Sequence, residues 1–160
     1  MDRILHFLIL LLVSSALQAQ VKTTTSWTYD ALPKTVAVGD EVELIFNVSI
    51  IKDWYIYTNE QKESVMAIPA TPYFDTNDSY ELVGEFYAVD PKSKFDDIWG
   101  DTVQYFKTSG QFRQTIKVLK PTLDISGTLE YQTCSDVTGL CILYEDDIRF
   151  DMIQVEGGDK

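Results

Sequence analysis

Apolar and polar side chains alternate along several segments of this chain. In residues 42–50, VELIFNVSI, every second position is apolar. Residues 111–119, QFRQTIKVL, repeat the pattern, and residues 147–155, DIRFDMIQV, follow it until it slips at Ile153. A period of two places alternate side chains on opposite faces of a strand. The pattern therefore predicts three long strands, each with one buried face.

Two shorter runs, WYIYT at residues 54–58 and YELVGEF at residues 80–86, are rich in strand-forming residues. Gly84 predicts a bulge in the second run. The segments AVGDE, NDS, DPKS, TSGQ and KPTLDISG carry turn-forming residues between the strands. We find no run of ten or more residues with a helical period of 3.6. The chain is therefore predicted to be all-β, with the architecture of an immunoglobulin-like β-sandwich.

The first segment, MDRILHFLILLLVSSALQAQ, has the layout of a secretory signal peptide. Arg3 lies in a short polar start, an apolar run covers residues 4–13, and small residues follow. This run is well short of the ~20 apolar residues that a membrane-spanning helix needs. We predict a signal peptide at residues 1–19, cleaved after Ala19, with Ala16 as the alternative site.

An exported protein without another long apolar run is expected to have no membrane span after cleavage. We predict one domain at residues 20–156 and a disordered tail at residues 157–160. The expected location is the periplasm, and the expected state is a monomer.

Composition excludes several classes of function. The only histidine, His6, lies in the predicted signal peptide, so a Ser–His–Asp or Cys–His catalytic pair is excluded. Two cysteines without a histidine do not make an ordinary zinc site, and no metal is expected. The net charge of -12 repels phosphate backbones and anionic lipids, so no nucleic-acid partner is expected. A hydrolase that uses paired carboxylates stays open because acidic residues are plentiful.

Both cysteines, Cys134 and Cys141, lie in one short stretch, YQTCSDVTGLCILYE. Export predicts that they form a disulfide. Closing so short a loop contributes only about 2.5 kcal/mol to stability, which is a weak reason for a structural staple. No Lys, Arg or His lies between Asp136 and Asp147 to lower a thiol pKa. Spacing alone therefore leaves both a staple and a redox pair open.

Three segments, in order, resemble the N-terminal periplasmic domain of the thiol:disulfide interchange protein DsbD family. GTLEYQTCSDVTGLCILYEDDIRF, residues 127–150, resembles the active-site hairpin of that family. IKDWYIY, residues 51–57, resembles a tyrosine-bearing strand, and KFDDIWGDTVQYF, residues 94–106, resembles the cap over the disulfide. The site residues that the resemblance implies are Cys134, Cys141, Tyr131, Gln132, Glu145, Tyr55, Tyr57, Asp96, Asp97, Ile98 and Trp99.

The resemblance implies an immunoglobulin-like sandwich that relays electrons between thioredoxin-like exported proteins without a cofactor. It also implies that Cys141 forms the mixed disulfide with a partner and that Cys134 resolves it. The sequence departs from the family at the cap, where Ile98-Trp99 replaces the usual Phe-Tyr. It departs again after Cys141, where Ile142-Leu143-Tyr144 replaces the usual Pro-Pro.

The family's membrane conduit and thioredoxin-like domain do not follow in this sequence, so we expect a separate membrane electron donor. The alternative is a non-enzymatic immunoglobulin-like module, used for binding or structure, with an inert disulfide. A reduction potential separates the two, because structural disulfides usually lie below about -300 mV.

Overall fold

The computed structural model describes residues 23–157, in which every regular element is a β-strand. The predicted signal peptide, residues 20–22 and most of the predicted tail lie outside the described residues. Within the described part, no helix is long and apolar enough to cross a membrane. The strands are β1 (Thr25–Leu32), β2 (Thr35–Val36), β3 (Glu41–Ile50), β4 (Trp54–Tyr57), β5 (Thr71–Phe74), β6 (Tyr80–Ala88), β7 (Lys92–Asp96), β8 (Asp101–Lys107), β9 (Ser109–Val118), β10 (Ser126–Ser135), β11 (Cys141–Arg149) and β12 (Gln154–Val155).

The main sheet folds into the two layers of a sandwich. One layer has the order β1-β3-β9-β6, and the other has the order β7-β8-β4-β10-β11, with β5 also paired to β10. The chain changes layers at Thr108, between β8 and β9, where the backbone has φ 75°. The strand pairs of this sheet are antiparallel, and β2 and β12 form a small parallel pair beside it. The predicted immunoglobulin-like β-sandwich is confirmed.

The main core lies between the two layers and is rich in aromatic rings. Phe46 of β3 contacts Phe150 at 5.2 Å between ring centroids, and Phe112 of β9 contacts Phe106 of β8 at the same distance. The alternation predicted in residues 42–50 and 111–119 is confirmed, since its apolar side chains are buried in β3 and β9. The buried Gln114 also faces this core, where its Nε2 donates to two backbone carbonyls.

Two local predictions have different outcomes. The bulge expected at Gly84 is confirmed, since the register between β6 and β9 shifts between Val83 and Tyr87. The strand expected at residues 147–155 is wrong in its bounds, because β11 begins at Cys141 and ends at Arg149. β11 pairs with β10 along this whole length, and the backbone leaves the sheet before the alternating pattern ends.

The short strand β4 is buried on both faces, and this positions the site. Trp54 and Ile56 pack into the main core. Tyr55 and Tyr57 point to the opposite side of the same layer and pack into a second, smaller cluster. A strand that is buried on both faces has a nearly continuous apolar sequence, as WYIY does.

We predict that the double variant Cys134→Ala/Cys141→Ala keeps the folded sandwich and loses about 2 kcal/mol or less of unfolding free energy. The cysteines lie outside the main core, and β10 pairs with β11 well beyond them. Urea denaturation followed by circular dichroism measures the loss. Phe112→Ala, which empties the main core, should cost about 3–5 kcal/mol in the same assay. Loss of the cooperative transition in the double variant would instead make the disulfide a structural staple.

Candidate redox site

The two cysteines close the end of the β10–β11 hairpin. Cys134 and Cys141 lie directly opposite each other, joined by a disulfide, with 4.1 Å between their Cα atoms. The six residues between them, 135–140, form a compact turn that we name the cysteine loop. Ser135 organises this loop: its amide donates to the Leu140 carbonyl at 2.9 Å, and its carbonyl accepts the Gly139 amide at 3.0 Å. Gly139 has φ 69°, a left-handed conformation that favours glycine.

The two sulfurs differ in exposure. Cys134 is fully buried, whereas Cys141 is half-buried. The Gln132 amide lies 3.8 Å from the Cys134 sulfur, and its oxygen accepts the Ile68 amide at 2.7 Å. This bridge ties the segment before β5 to the inner sulfur. An attacking group that approaches from solvent therefore meets Cys141 first.

A small hydrophobic cluster, which we name the outer cluster, surrounds Cys134 on the face of β4 and β10 away from the main core. Its buried members are Tyr55, Tyr57, Val65, Ala67, Val103 and Cys134, and Trp99, Tyr105 and Cys141 pack against them. Tyr55 lies directly opposite Cys134 in the register of β4 with β10. The disulfide therefore belongs to a separate apolar environment and not to the core that holds the sandwich together.

The carboxylate of Asp96 lies at the edge of the outer cluster and is only 3% exposed. Its Oδ2 accepts hydrogen bonds from the hydroxyls of Tyr55 at 2.9 Å and Tyr57 at 3.1 Å. Its Oδ1 accepts the Ile98 amide at 3.0 Å. Burial, together with the nearby Asp96 charge, raises the pKa of Tyr57 to about 12 and raises that of Tyr55 further. Both phenols are therefore protonated donors near neutral pH.

Residues 96–100 form the turn between β7 and β8, at the position where the sequence predicts a cap. Trp99 is half-buried, and its Nε1 donates to the Tyr57 hydroxyl at 2.7 Å. Ile98 is 49% exposed, and Asp97 is exposed as well. A cavity of about 260 Å³ separates this turn from the cysteine loop. Of the two residues that replace the family's Phe-Tyr, Trp99 is the one packed on the outer cluster.

The structure does not bring Tyr131 and Glu145 to the disulfide. Tyr131 lies on the opposite face of β10, in the main core, where its hydroxyl is 2.6 Å from Thr25 Oγ1 and donates to Asp146 at 2.5 Å. Glu145 is exposed on β11, opposite Glu130. Tyr131 is separated from Cys134 because residues three apart on a strand face opposite sides. Glu145 lies on the same face as Cys141 but four residues farther along β11.

Sequence reading missed two lysines beside the cysteine loop. The Lys94 ammonium lies 3.2 Å from Asp136 Oδ1, 3.6 Å from Asp96 Oδ2 and 3.5 Å from the centre of the Tyr55 ring. Lys107 of β8 also forms an ion pair with Asp136. Both lysines are remote from the cysteines in sequence, and the pairing of β7, β8, β4 and β10 brings them close. This closeness follows from the order of the strands in the sheet, so the sequence around the cysteines could not have indicated these two lysines.

Among the described residues, no group of three or more His, Cys, Asp or Glu side chains is arranged to hold a metal ion. A disulfide with one accessible sulfur can undergo exchange with a thiolate, through a mixed disulfide.

Solved structures give the fold a context. The N-terminal periplasmic domain of ScsB from Proteus mirabilis is 16% identical, with a TM-score of 0.61, over 85% of this chain and 49% of that one. The chain thus spans about half of that neighbour, and the likeness is one of fold. The reduced N-terminal domain of DsbD from Neisseria meningitidis is 20% identical, with a TM-score of 0.49, over 78% of this chain and 84% of that one. None of the curated proteins matches this chain.

The sequence model of one family matches most of the chain. It is described as the N-terminal part of the thiol:disulfide interchange protein DsbD, and it covers residues 27–151. This range contains both cysteines, the cap turn and the tyrosines of β4. Family membership and the Cys134–Cys141 disulfide together support a thiol–disulfide redox role. The chain belongs to the family of N-terminal domains of the thiol:disulfide interchange protein DsbD.

Proposed function

We propose that this chain is an exported protein-disulfide reductase component that relays two electrons between thioredoxin-like proteins. The observation that carries the proposal is the disulfide at the hairpin end, with Cys141 half-buried and Cys134 fully buried. Residues 20–156 form the mature domain, a monomer located in the periplasm. The sulfurs carry the electrons themselves, so the reaction needs no cofactor.

The proposed reaction runs through two exchanges. In the step that reduces the oxidised domain, a thiolate of the electron donor attacks the Cys141 sulfur, and the bond between the two cysteines breaks. Cys134 leaves as a thiolate and takes up a proton. A second donor thiol then attacks the mixed disulfide and releases Cys141, so the donor ends as a disulfide and the domain as a dithiol. An oxidised acceptor reverses these steps: Cys141 attacks it, and Cys134 resolves the mixed disulfide.

The surrounding side chains have supporting roles in this proposal. Asp96 holds the cap turn through its hydrogen bonds to Tyr55 and Tyr57. Trp99 covers the outer cluster, and Gln132 holds the segment before β5 near the inner sulfur. Asp97 and Ile98 are exposed on the cap, where a docked partner would contact them. Tyr131 and Glu145 are assigned to packing and to the surface of the sandwich.

The proposed partners are exported thioredoxin-like proteins and a separate electron donor in the membrane. The two lysines beside the cysteine loop, Lys94 and Lys107, are paired with the carboxylates of Asp96 and Asp136. A partner with an activated thiolate would supply the reactivity that this site lacks. This division suits a relay, in which the domain only accepts and passes on electrons.

The rival function is an immunoglobulin-like module with an inert disulfide, and the burial of Cys134 favours it. The reduction potential separates the two functions. Equilibration with mixtures of reduced and oxidised glutathione should give a potential above about -300 mV for a relay. A lower value would assign the disulfide to the inert module.

The order of attack is tested by single-cysteine variants. Cys134→Ala keeps the accessible sulfur and removes the resolving one, so it should accumulate a mixed disulfide with a thioredoxin-like protein. Cys141→Ala should accumulate several-fold less, because the remaining sulfur is buried. Non-reducing gels of periplasmic extracts measure both complexes. Accumulation with Cys141→Ala alone would reverse the two roles, and complexes with neither variant would favour the inert module.

The cap is tested by separate substitutions of its two large side chains. Trp99→Ala removes the hydrogen bond to Tyr57 and the packing on the outer cluster, so reduction by glutathione should speed up roughly three- to tenfold. Ile98→Ala should have a smaller effect because that side chain is 49% exposed. Leu82→Ala, at an exposed position of β6, is the matched control. An unchanged rate in Trp99→Ala would remove the cap from the mechanism.

A further inference from the structure

Ion pairs connect the two sides of the cavity between the cap turn and the cysteine loop, and the exchange reaction does not use them. One side is the cap hairpin, which consists of β7, the turn at residues 96–100 and β8. The other side is the cysteine loop. Lys94 contacts Asp96 in the cap, the ring of Tyr55 in β4, and Asp136 in the cysteine loop. A single ammonium group therefore bridges all three parts of the site.

Asp136 is held from several directions. Lys94 and Lys107 donate to its two carboxylate oxygens, and its amide donates to the Asp53 carbonyl at 3.0 Å. Burial alone would raise the pKa of this carboxyl, but the hydrogen bonds from the two lysines more than offset it and hold the pKa below its ordinary value. The side chains of Lys94 and Asp136 are 27% and 29% exposed, so solvent screens this pair less than a fully exposed one.

The position of the cysteine loop bears directly on access to the disulfide. The loop joins the two cysteines, and Ser135, Asp136 and Gly139 line the cavity from its side. Tyr55, Asp96 and Ile98 line the same cavity from the other side. Because the loop is joined directly to both cysteines, a shift of the loop away from the hairpin would move the backbone next to each sulfur.

We propose that Lys94, Asp136 and Lys107 form an electrostatic clasp that holds the cysteine loop against the cap hairpin and limits attack on Cys141. The clasp deepens the proposed function and rests on it, since a docking partner would have to loosen the clasp before exchange. These three side chains are positioning residues, because they act through the loop and do not touch the reacting partner.

The clasp is tested with a reductant that carries no charge, tris(3-hydroxypropyl)phosphine. Its phosphorus attacks the Cys141 sulfur, a P–S bond forms, the S–S bond breaks, and Cys134 leaves as a thiolate that takes up a proton. Water then hydrolyses the phosphonium group, which yields the phosphine oxide and a free Cys141 thiol. A neutral reagent reports access to the sulfur and is little affected by the charge of the site.

We expect Asp136→Asn and Lys94→Met each to raise the pseudo-first-order rate of reduction by roughly three- to fivefold, as expected from the loss of a partly shielded ion pair. Asp136→Glu, which keeps the charge, should stay within about twofold of the unmodified protein. The matched control is Asp78→Asn, which breaks the surface ion pair with Lys120 and should leave the rate unchanged. In 1 M salt, where the screening length falls to about 3 Å, the unmodified protein should approach the rates of the variants.

Two results would overturn the clasp. One is a rate in both variants equal to that of the unmodified protein. The other is a faster rate in Asp136→Asn together with a slower rate in Lys94→Met. Such opposite effects would mean that each side chain acts through the electrostatic field of its own charge and not through the ion pair. Thermal melts identify a variant that does not fold, and Lys107→Met then takes its place. The assay contains no partner protein, so a failure of the relay in the trapping experiment stays distinguishable from a failure of the clasp.

Discussion

The architecture around the disulfide depends on one buried carboxylate, that of Asp96. A charge removed from water is costly unless hydrogen bonds replace its hydration. Asp96 obtains these bonds from Tyr55, Tyr57 and the Ile98 amide. The first two donors belong to β4 and the third belongs to the cap turn, so satisfying the carboxylate joins the turn to the strand. A cap built in this way has a defined position over the outer cluster.

Burial of β4 on both faces separates the stability of the domain from its chemistry. Trp54 and Ile56 anchor the strand in the main core, while Tyr55 and Tyr57 serve the site on the other face. Side chains supported by a packed strand are held more rigidly than side chains on a loop. The disulfide closes only a short loop at the edge of this frame. Its two sulfurs can therefore change redox state while the sheet that positions the cap stays intact.

The sequence predicts those parts of the fold in which one face of a strand is buried. The alternation in β3 and β9 is nearly uninterrupted, and both strands were predicted with the correct inward residues. The start of β11 was missed because Asp146 lies at an inward position, where its carboxylate accepts the Tyr131 hydroxyl. An inward acid breaks the apolar pattern, and its partner is supplied by the neighbouring strand. Local patterns do not contain that information.

The same limit applies to the site. Tyr131 and Cys134 are three residues apart on one strand, so a period of two already places them on opposite faces. Predicting that Lys94 and Lys107 lie beside the cysteine loop would require the order of four strands, which no single segment encodes. Their ion pairs balance Asp96 and Asp136, in a chain whose net charge is -12. Two ammonium groups matched by two carboxylates leave little net field to stabilise a thiolate. Access to Cys141, more than the acidity of its thiol, is therefore the property that this arrangement can control.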